Sequence, residues 1–280
     1  MIKNSIAIGI NIFGSFHRQD LCIASLERIK KCMLTSVELY NIQQLGLPET
    51  IHPSFTTIYD KGRTASNTVP GSTNNLPMVR DMFDALADLN KDYFIFLNSD
   101  IILTTQLIKT VLYDNFYDAL SGSRLAIEHI DTLDTSNITH SHFQIAGFDV
   151  FLIRTDWWKK NRHLFPDYVY AVSAWDVDYA CRLNVLTPCS RFENEMPATC
   201  YHIMHEEKSH NDTPERRHNM KIFFEDSKPL CDAWHSYLYK VLALRTPLNC
   251  NYTEAALGER SLEREHFNNE HIYSFCSNWR

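Results

Sequence analysis

Tyr93-Phe-Ile-Phe-Leu97 runs five residues without a charge or an amide and stops on Asn98-Ser99-Asp100. A short apolar run of aromatic and branched side chains is what a central parallel strand covered on both faces looks like. Covering both faces takes helices on each side, so this segment commits the chain to an α/β sheet. The residues just upstream supply one such helix. Pro77 suits a first helical turn, and Met78, Val79, Met82, Phe83, Leu86 and Leu89 recur at spacings of three and four up to Asn90. Helix followed by buried strand implies right-handed crossovers, and in sheets of that kind ligands bind beyond the carboxyl ends of the strands. Asn98, Ser99 and Asp100 fall at that position.

The rest of the chain fits the same plan. Residues 5–13 read as a first strand and residues 20–34 as a helix with Ile23, Leu26, Ile29 and Met33 on one side and basic residues near its end. Residues 36–42 and 55–59 are two further short β-like runs. Residues 60–76, DKGRTASNTVPGSTNNL, carry almost no apolar side chain and read as a long exposed loop. Further on, residues 143–153 read as strand, 155–161 as a turn or short helix bearing Trp157 and Trp158, and 175–186 as a helix. The expected architecture is therefore α/β, a central sheet flanked by helices, with aromatic stretches at 222–224 and 234–239 suited to helices near the C-terminus. At 280 residues, 44% apolar and 12% aromatic, the chain has the core for one large or two small domains, and no linker separates them. With only 8 Gly and 10 Pro and no repeating period, collagen-like, low-complexity and solenoid architectures are excluded.

Charge and cysteine usage narrow the function. The formal charge is −7, from 27 basic and 34 acidic residues, which removes the broad electrostatic basis for nucleic-acid binding. No apolar run approaches the roughly 20 residues of a membrane span. The N-terminal segment MIKNSIAIGINIFG leads straight into polar sequence without a small-residue cleavage site, so no signal peptide is expected. The 8 cysteines form no CxxC pair and are expected to be reduced and mostly buried, in a cytoplasmic protein. On that reading the Asn-x-Ser/Thr triplets at Asn137, Asn211 and Asn251 carry no glycan.

Several residues can do chemistry. A carboxylate at the end of a central strand, here Asp100, can hold Mg²⁺ or Mn²⁺, hard ions that take oxygen ligands and leave positions for phosphates. The same Asn, Ser and Asp are also ordinary turn formers. In the polar loop, Arg63 is a candidate contact for a nucleotide or diphosphate, with Arg80 on the following helix as a second. At Ala174-Trp-Asp-Val-Asp178, Asp176 can form a capping box with Ser173, and Asp178 with Arg182 makes an i,i+4 helix pair. Tyr201-His-Ile-Met-His-Glu206 holds zinc-type ligands, yet its HxxH spacing is not that of HExxH and no cysteine pair completes a structural site.

Taken together, the apolar strand ending in Asn98-Ser99-Asp100, the Trp175-Asp-Val-Asp178 helix start and the downstream His202/His205 segment resemble the GT-A-fold glycosyltransferases, most of all the inverting ones. In that family a DXD element after an apolar strand binds the nucleotide-sugar diphosphate through a metal. Asn98 stands where the first Asp would be, which leaves Asp100 the only charge in the triplet. The resemblance covers about residues 5–206 and implies a Rossmann-related, GT-A-like mixed sheet over residues 1–206 with a helical extension, 207–280, packed on it. It implies transfer of a sugar, of hexosyltransferase type, from a UDP- or GDP-type donor to a hydroxyl of a glycan or lipid-linked saccharide. Asp100 and His205, or His202 in its place, would hold Mn²⁺ or Mg²⁺, and Asp176 would be the general base. Asn11, Phe13, Arg63, Arg80, Asn98, Ser99, Asp100, Gly147 and Asp149 would contact the donor, with Gly147 admitting the sugar closely and Asp149 binding its hydroxyls. If Asp176 serves only as a cap, a retaining transfer stays open. Two other classes remain: a sugar nucleotidyltransferase, which would carry a Gly-rich, Arg-containing loop that Gly9-Ile-Asn-Ile-Phe-Gly14 does not offer, and a non-catalytic carbohydrate- or partner-binding relative.

Overall fold

The computed structural model describes residues 4–14, 16–33, 36–105, 107–108, 118–127, 141–186, 190–193, 200–203 and 212–233. Among them are the strands β1 (Ile6–Ile10), β2 (Val37–Gln43), β3 (Thr56–Tyr59), β4 (Tyr93–Leu97), β5 (Ile101–Leu103), β6 (Ala119–Ile127), β7 (Ser141–Arg154), β8 (Ser190–Glu193) and β9 (Cys200–Ile203). The helices are α1 (His17–Met33), α2 (Ala65–Thr68), α3 (Val79–Ala87), α4 (Thr155–Asn161), α5 (Trp175–Leu186) and α6 (Pro214–Ile222). α6 continues through a π-helical turn, Phe223–Ser227, into a last helical stretch at 228–233.

All nine strands join one mixed sheet in the order β3-β2-β1-β4-β7-β6-β9-β5, with β8 also beside β6. The first four strands run parallel, β7 runs antiparallel to β4, and β5 runs antiparallel to β9. β4 lies at the centre, and its side chains alternate as a two-residue period dictates. Phe94 and Phe96 enter one core with α3 and α5, while Tyr93, Ile95 and Leu97 enter the other with α1. The α/β sheet flanked by helices is thus the architecture expected from the strand's composition, but β4 is parallel only to β1 and runs antiparallel to β7, the mixed sheet that the family resemblance implies.

The first core is aromatic. The Phe83 ring lies 5.0 Å from Phe96, 5.1 Å from Trp158 and 5.4 Å from Tyr179, centroid to centroid. Trp158 is fully buried and donates its indole N–H to Asp84 at 2.9 Å, so the Trp157-Trp158 pair serves the core through its second member. α3 packs against β1 where a Cβ on Gly9 would stand 2.5 Å from Leu86 Cδ2 and 3.0 Å from Ile42 Cδ1. Leu86 is itself fully buried and has no solvent side to swing into. Gly9→Ala is expected to cost about 1–3 kcal/mol through overpacking; urea unfolding measures it, and an unchanged midpoint would mean that α3 lifts off at no cost.

Residues 60–76 depart from the expected exposed loop. They contain α2, whose Ala65 is buried, and Val69 and Met78 join a small satellite core with Val169 and Val172. Thr64 and Pro77 pair in an isolated β-bridge that closes the loop on itself. Five described cysteines, Cys22, Cys32, Cys181, Cys200 and Cys231, are free, and all but Cys32 are buried. No described helix is long and apolar enough to cross a membrane.

Candidate active site

The backbone leaves β4 at Leu97 and enters β5 at Ile101, so Asn98, Ser99 and Asp100 form the step between two separate places in the sheet. Both flanks of the step are fixed. On one side β7 runs antiparallel to β4 with Val150 opposite Leu97, which brings Asp149 level with Asn98. The Asn98 N–H donates to the Asp149 carbonyl at 3.2 Å, and Asn98 Nδ2 donates to Asp149 Oδ1 at 2.5 Å. On the other side β9 pairs with β5, with His202 opposite Ile101. That register brings His202 Nε2 to 3.3 Å from Asp100 Oδ2. Ser99 and Asp149 are buried, Asp100 is partly exposed and His202 is buried.

Two residues that the sequence did not single out complete the surroundings. Tyr170 is buried, and after burial itself the Asp100 and Asp149 carboxylates push its phenol further up from the usual range. Cys22 of α1 lies beneath the step with Sγ 3.9 Å from the Asn98 carbonyl; burial, then Asp100, pushes its thiol up, so it stays protonated and inert. No local pattern marks either residue, because both reach the site through the packing of distant elements.

The step carries side chains of metal-ligand type. Asn98 Oδ1 is buried without a hydrogen-bond partner, because the other end of the amide is held by Asp149. An amide oxygen, the Asp100 carboxylate and the His202 imidazole are ligand types that Mn²⁺ accepts. No set of three His, Cys, Asp or Glu among the described residues gathers closely enough to cage an ion. His205 and the rest of residues 204–211 lie outside the described residues.

The other predicted residues occupy distinct places. Asn11 follows β1, the neighbour of β4, and donates Nδ2 to the Ile42 carbonyl at 2.6 Å. Phe13 is 52% exposed and tilts against Phe16 at 5.5 Å, leaving a ring face in solvent beyond the carboxyl end of β1. Gly147 lies on β7 on the approach to Asp149. Arg63 and Arg80 are brought together with each other: Arg63 forks onto Asp81 at 2.5 and 2.8 Å, and both arginines meet Asp167, Arg63 at 3.0 Å and Arg80 at 2.5 Å. The charges of this four-residue cluster neutralise one another while it ties α3 to the segment before Tyr168.

α5 begins at Trp175, so Ala174 takes the N-cap position and Asp176 lies one residue earlier in the helix than a capping box with Ser173 requires. Trp175 packs on Phe151 at 5.3 Å, on Tyr170 at 5.9 Å and on Phe96 at 6.0 Å. The start of α5 therefore leans on the carboxyl end of β4, and Asp176, half-buried, follows directly. Asp178 and Arg182 do form the i,i+4 pair, but in the core rather than on the surface, with side chains 0% and 2% exposed.

No protein-family model matches the chain, and no curated protein does. Among solved structures it is similar to a Drosophila beta-1,4-galactosyltransferase 7 in complex with manganese, UDP-Gal and xylobiose, at 11% identity over 77% of this chain and 79% of that one, TM-score 0.43. It is also similar to a mannosyltransferase from Pyrobaculum calidifontis in complex with GDP-Man and Mn²⁺, at 11% identity over 99% of this chain and 85% of that one, TM-score 0.42. Likenesses this distant assign no activity; the side chains at the step between β4 and β5 are the basis for one.

Proposed function

We propose that the chain is a glycosyltransferase that moves a sugar, of hexosyl type, from a nucleoside-diphosphate sugar to an acceptor hydroxyl. One observation carries this reading: a partly exposed carboxylate, Asp100, follows directly on the central strand and stands 3.3 Å from the His202 imidazole. A divalent ion bound there, Mn²⁺ or Mg²⁺, would neutralise the charge that develops on the departing diphosphate. Asp100, with Asn98 and His202, would hold it; His205 remains a candidate on sequence grounds.

The remaining residues bind and orient. Asp149 holds the Asn98 amide by its Nδ2, which fixes the direction of Oδ1, and Asp149 is proposed to bind sugar hydroxyls beside Ser99 and Gly147. Phe13 and Asn11 are proposed for the nucleobase and ribose of a UDP- or GDP-type donor. Arg63 and Arg80, committed to Asp81 and Asp167, would act by shaping residues 60–76 around the donor. Asp176 is proposed as the base that takes the acceptor proton while the hydroxyl attacks the anomeric carbon from the face opposite the diphosphate, giving inversion. The acceptor would be a glycan or lipid-linked saccharide, and the catalytic unit residues 1–206.

Calorimetric titration of UDP and of GDP with and without Mn²⁺ tests the donor site. One nucleotide should bind in a metal-dependent way, and Asp100→Ala should weaken it by at least about 10–100-fold, the loss expected when a metal site is disturbed. Absence of nucleotide binding by the intact protein would sink the transferase reading and favour a carbohydrate- or partner-binding role.

A further inference from the structure

Asn219 on α6 is fully buried and spends its whole side chain on the backbone of one segment. Its Nδ2 donates to the carbonyls of Val169 at 2.9 Å, Ser173 at 3.2 Å and Val172 at 3.3 Å, and its Oδ1 accepts from the Val169 N–H at 2.9 Å. The segment it grips is strained. Ala171 has φ 61° and Ala174 has φ 88°, in the left-handed region that a residue with a Cβ disfavours. Strain of this kind persists only where the surroundings over-determine the backbone, and it concentrates at functional sites. On its other side the segment is pinned to the start of α3, where Val79 N donates to the Tyr168 carbonyl and Tyr170 N to the Pro77 carbonyl, each at 2.9 Å. Between the two clamps the chain delivers Tyr170 toward Asp100 and Asp149, and then Trp175 and Asp176.

We propose that Asn219 is a positioning residue: it latches the strained 169–174 backbone and thereby sets where Asp176 stands relative to the donor site. The inference rests on the transferase reading for the role of Asp176. An amide is the side chain this latch needs. Three carbonyls face its NH₂ group, so a carboxylate there would meet acceptors with no proton to offer, and an apolar residue would leave buried carbonyls unpaired. The latch also gives α6 a function beyond covering the core. Glu215, one turn earlier, accepts from Ser72 and from Asn74 at 3.0 Å, so the same helix holds both the 60–76 loop and the approach to α5.

The test compares wild type, Asn219→Ala, and Asn219→Ala in an Ala171→Gly/Ala174→Gly background, where glycine makes both positive φ angles available without steric cost. In Asn219→Ala, amide hydrogen exchange over residues 170–176 should speed up about tenfold or more while β4 is unchanged. Metal-dependent binding of UDP or GDP should stay within about twofold of wild type, and turnover of the sugar nucleotide should fall about 10–100-fold in kcat with KM unchanged, as expected for a displaced catalytic group. The glycine background should recover most of both losses. Unchanged exchange in Asn219→Ala overturns the latch whatever the protein's activity. Faster exchange with unchanged kcat overturns its role in placing Asp176. If Asn219→Ala fails to fold, folding of the glycine-background variant supports the latch, and its failure as well assigns Asn219 to core docking alone. If the intact protein binds neither nucleotide, the transferase reading fails and the placement of Asp176 with it, while the exchange data still judge the latch.

Discussion

Replacing Arg182 with methionine is expected to remove about 3–5 kcal/mol of stability, the range for breaking one side of a buried ion pair. Arg182 Nε bridges both Asp178 oxygens at 2.9 Å, its Nη1 donates to the Leu164 carbonyl at 2.9 Å, and its Nη2 donates to Ser227 Oγ at 2.8 Å. One side chain therefore joins α5, the 3-10 turn Arg162–Leu164 that follows α4, and the π-helical turn that follows α6. Methionine keeps much of the volume and removes every one of these bonds, leaving the Asp178 carboxylate in the core without its cation. Burial already pushes Asp178 upward from the usual carboxylate range even with Arg182 beside it; without Arg182 the shift grows. The sign follows from linkage. A carboxyl whose folded value lies above its unfolded one favours folding below the unfolded value and loses that contribution as pH rises through the folded one. The deficit of Arg182→Met should accordingly be smaller near pH 4 than at pH 8, by the usual range of carboxyl titration. Urea denaturation at both values reads it, and Asp178→Leu combined with Arg182→Met should recover a large part, because an apolar pair of similar volume carries no desolvation penalty. A deficit under about 1 kcal/mol, the ceiling for an exposed pair, would show the two charges to be solvated.

That pair also shows where sequence ran out. Four residues apart on a helix, Asp178 and Arg182 look like any surface pair; their burial comes from Leu164 and Ser227, which no local spacing links to them. The same holds for Arg63 and Arg80. A basic residue in a polar loop reads as a phosphate contact, yet Arg63 finds Asp167 more than a hundred residues downstream. The 60–76 segment misleads by composition: its few apolar residues, Ala65, Val69 and Leu76, are the ones that anchor it, and some of its polar ones bind Glu215 from a helix far along the chain. β5, β8 and β9, at three or four residues each, are too short to show a period. β4 was legible because its signal is entirely local: five apolar residues, then a carboxylate, bounded by a periodic helix. The step at Asn98–Asp100 was readable for the same reason, whereas Tyr170 and Cys22 reach it only through the fold.

Asp176→Asn is expected to lower sugar transfer by about 10²–10⁴-fold, the contribution of a positioned general base, while leaving metal-dependent nucleotide binding intact. The two halves of that expectation come from different parts of the fold. On the proposed reading, nucleotide binding would draw on the β4–β5 step, where Asn98, Asp100, Asp149 and His202 are set by strand register. Asp176 belongs to α5, whose first residue, Trp175, is seated against Phe96 and Phe151, and on the proposed reading it would approach the acceptor from there. An amide of the same shape leaves that seat untouched and removes only the ability to take a proton. The prediction thus separates the base from a helix-start role: in the first turn a carboxylate contributes about 0.3–1 kcal/mol against the helix dipole, so a purely structural Asp176 would lose no more than that in stability and keep turnover near wild type. Transfer assayed with UDP- and GDP-sugars over a panel of saccharide acceptors, beside calorimetric binding of the same nucleotides, decides it. Full transfer in Asp176→Asn would remove the inverting mechanism and reopen a retaining one, in which the diphosphate itself takes the acceptor proton on the face it leaves.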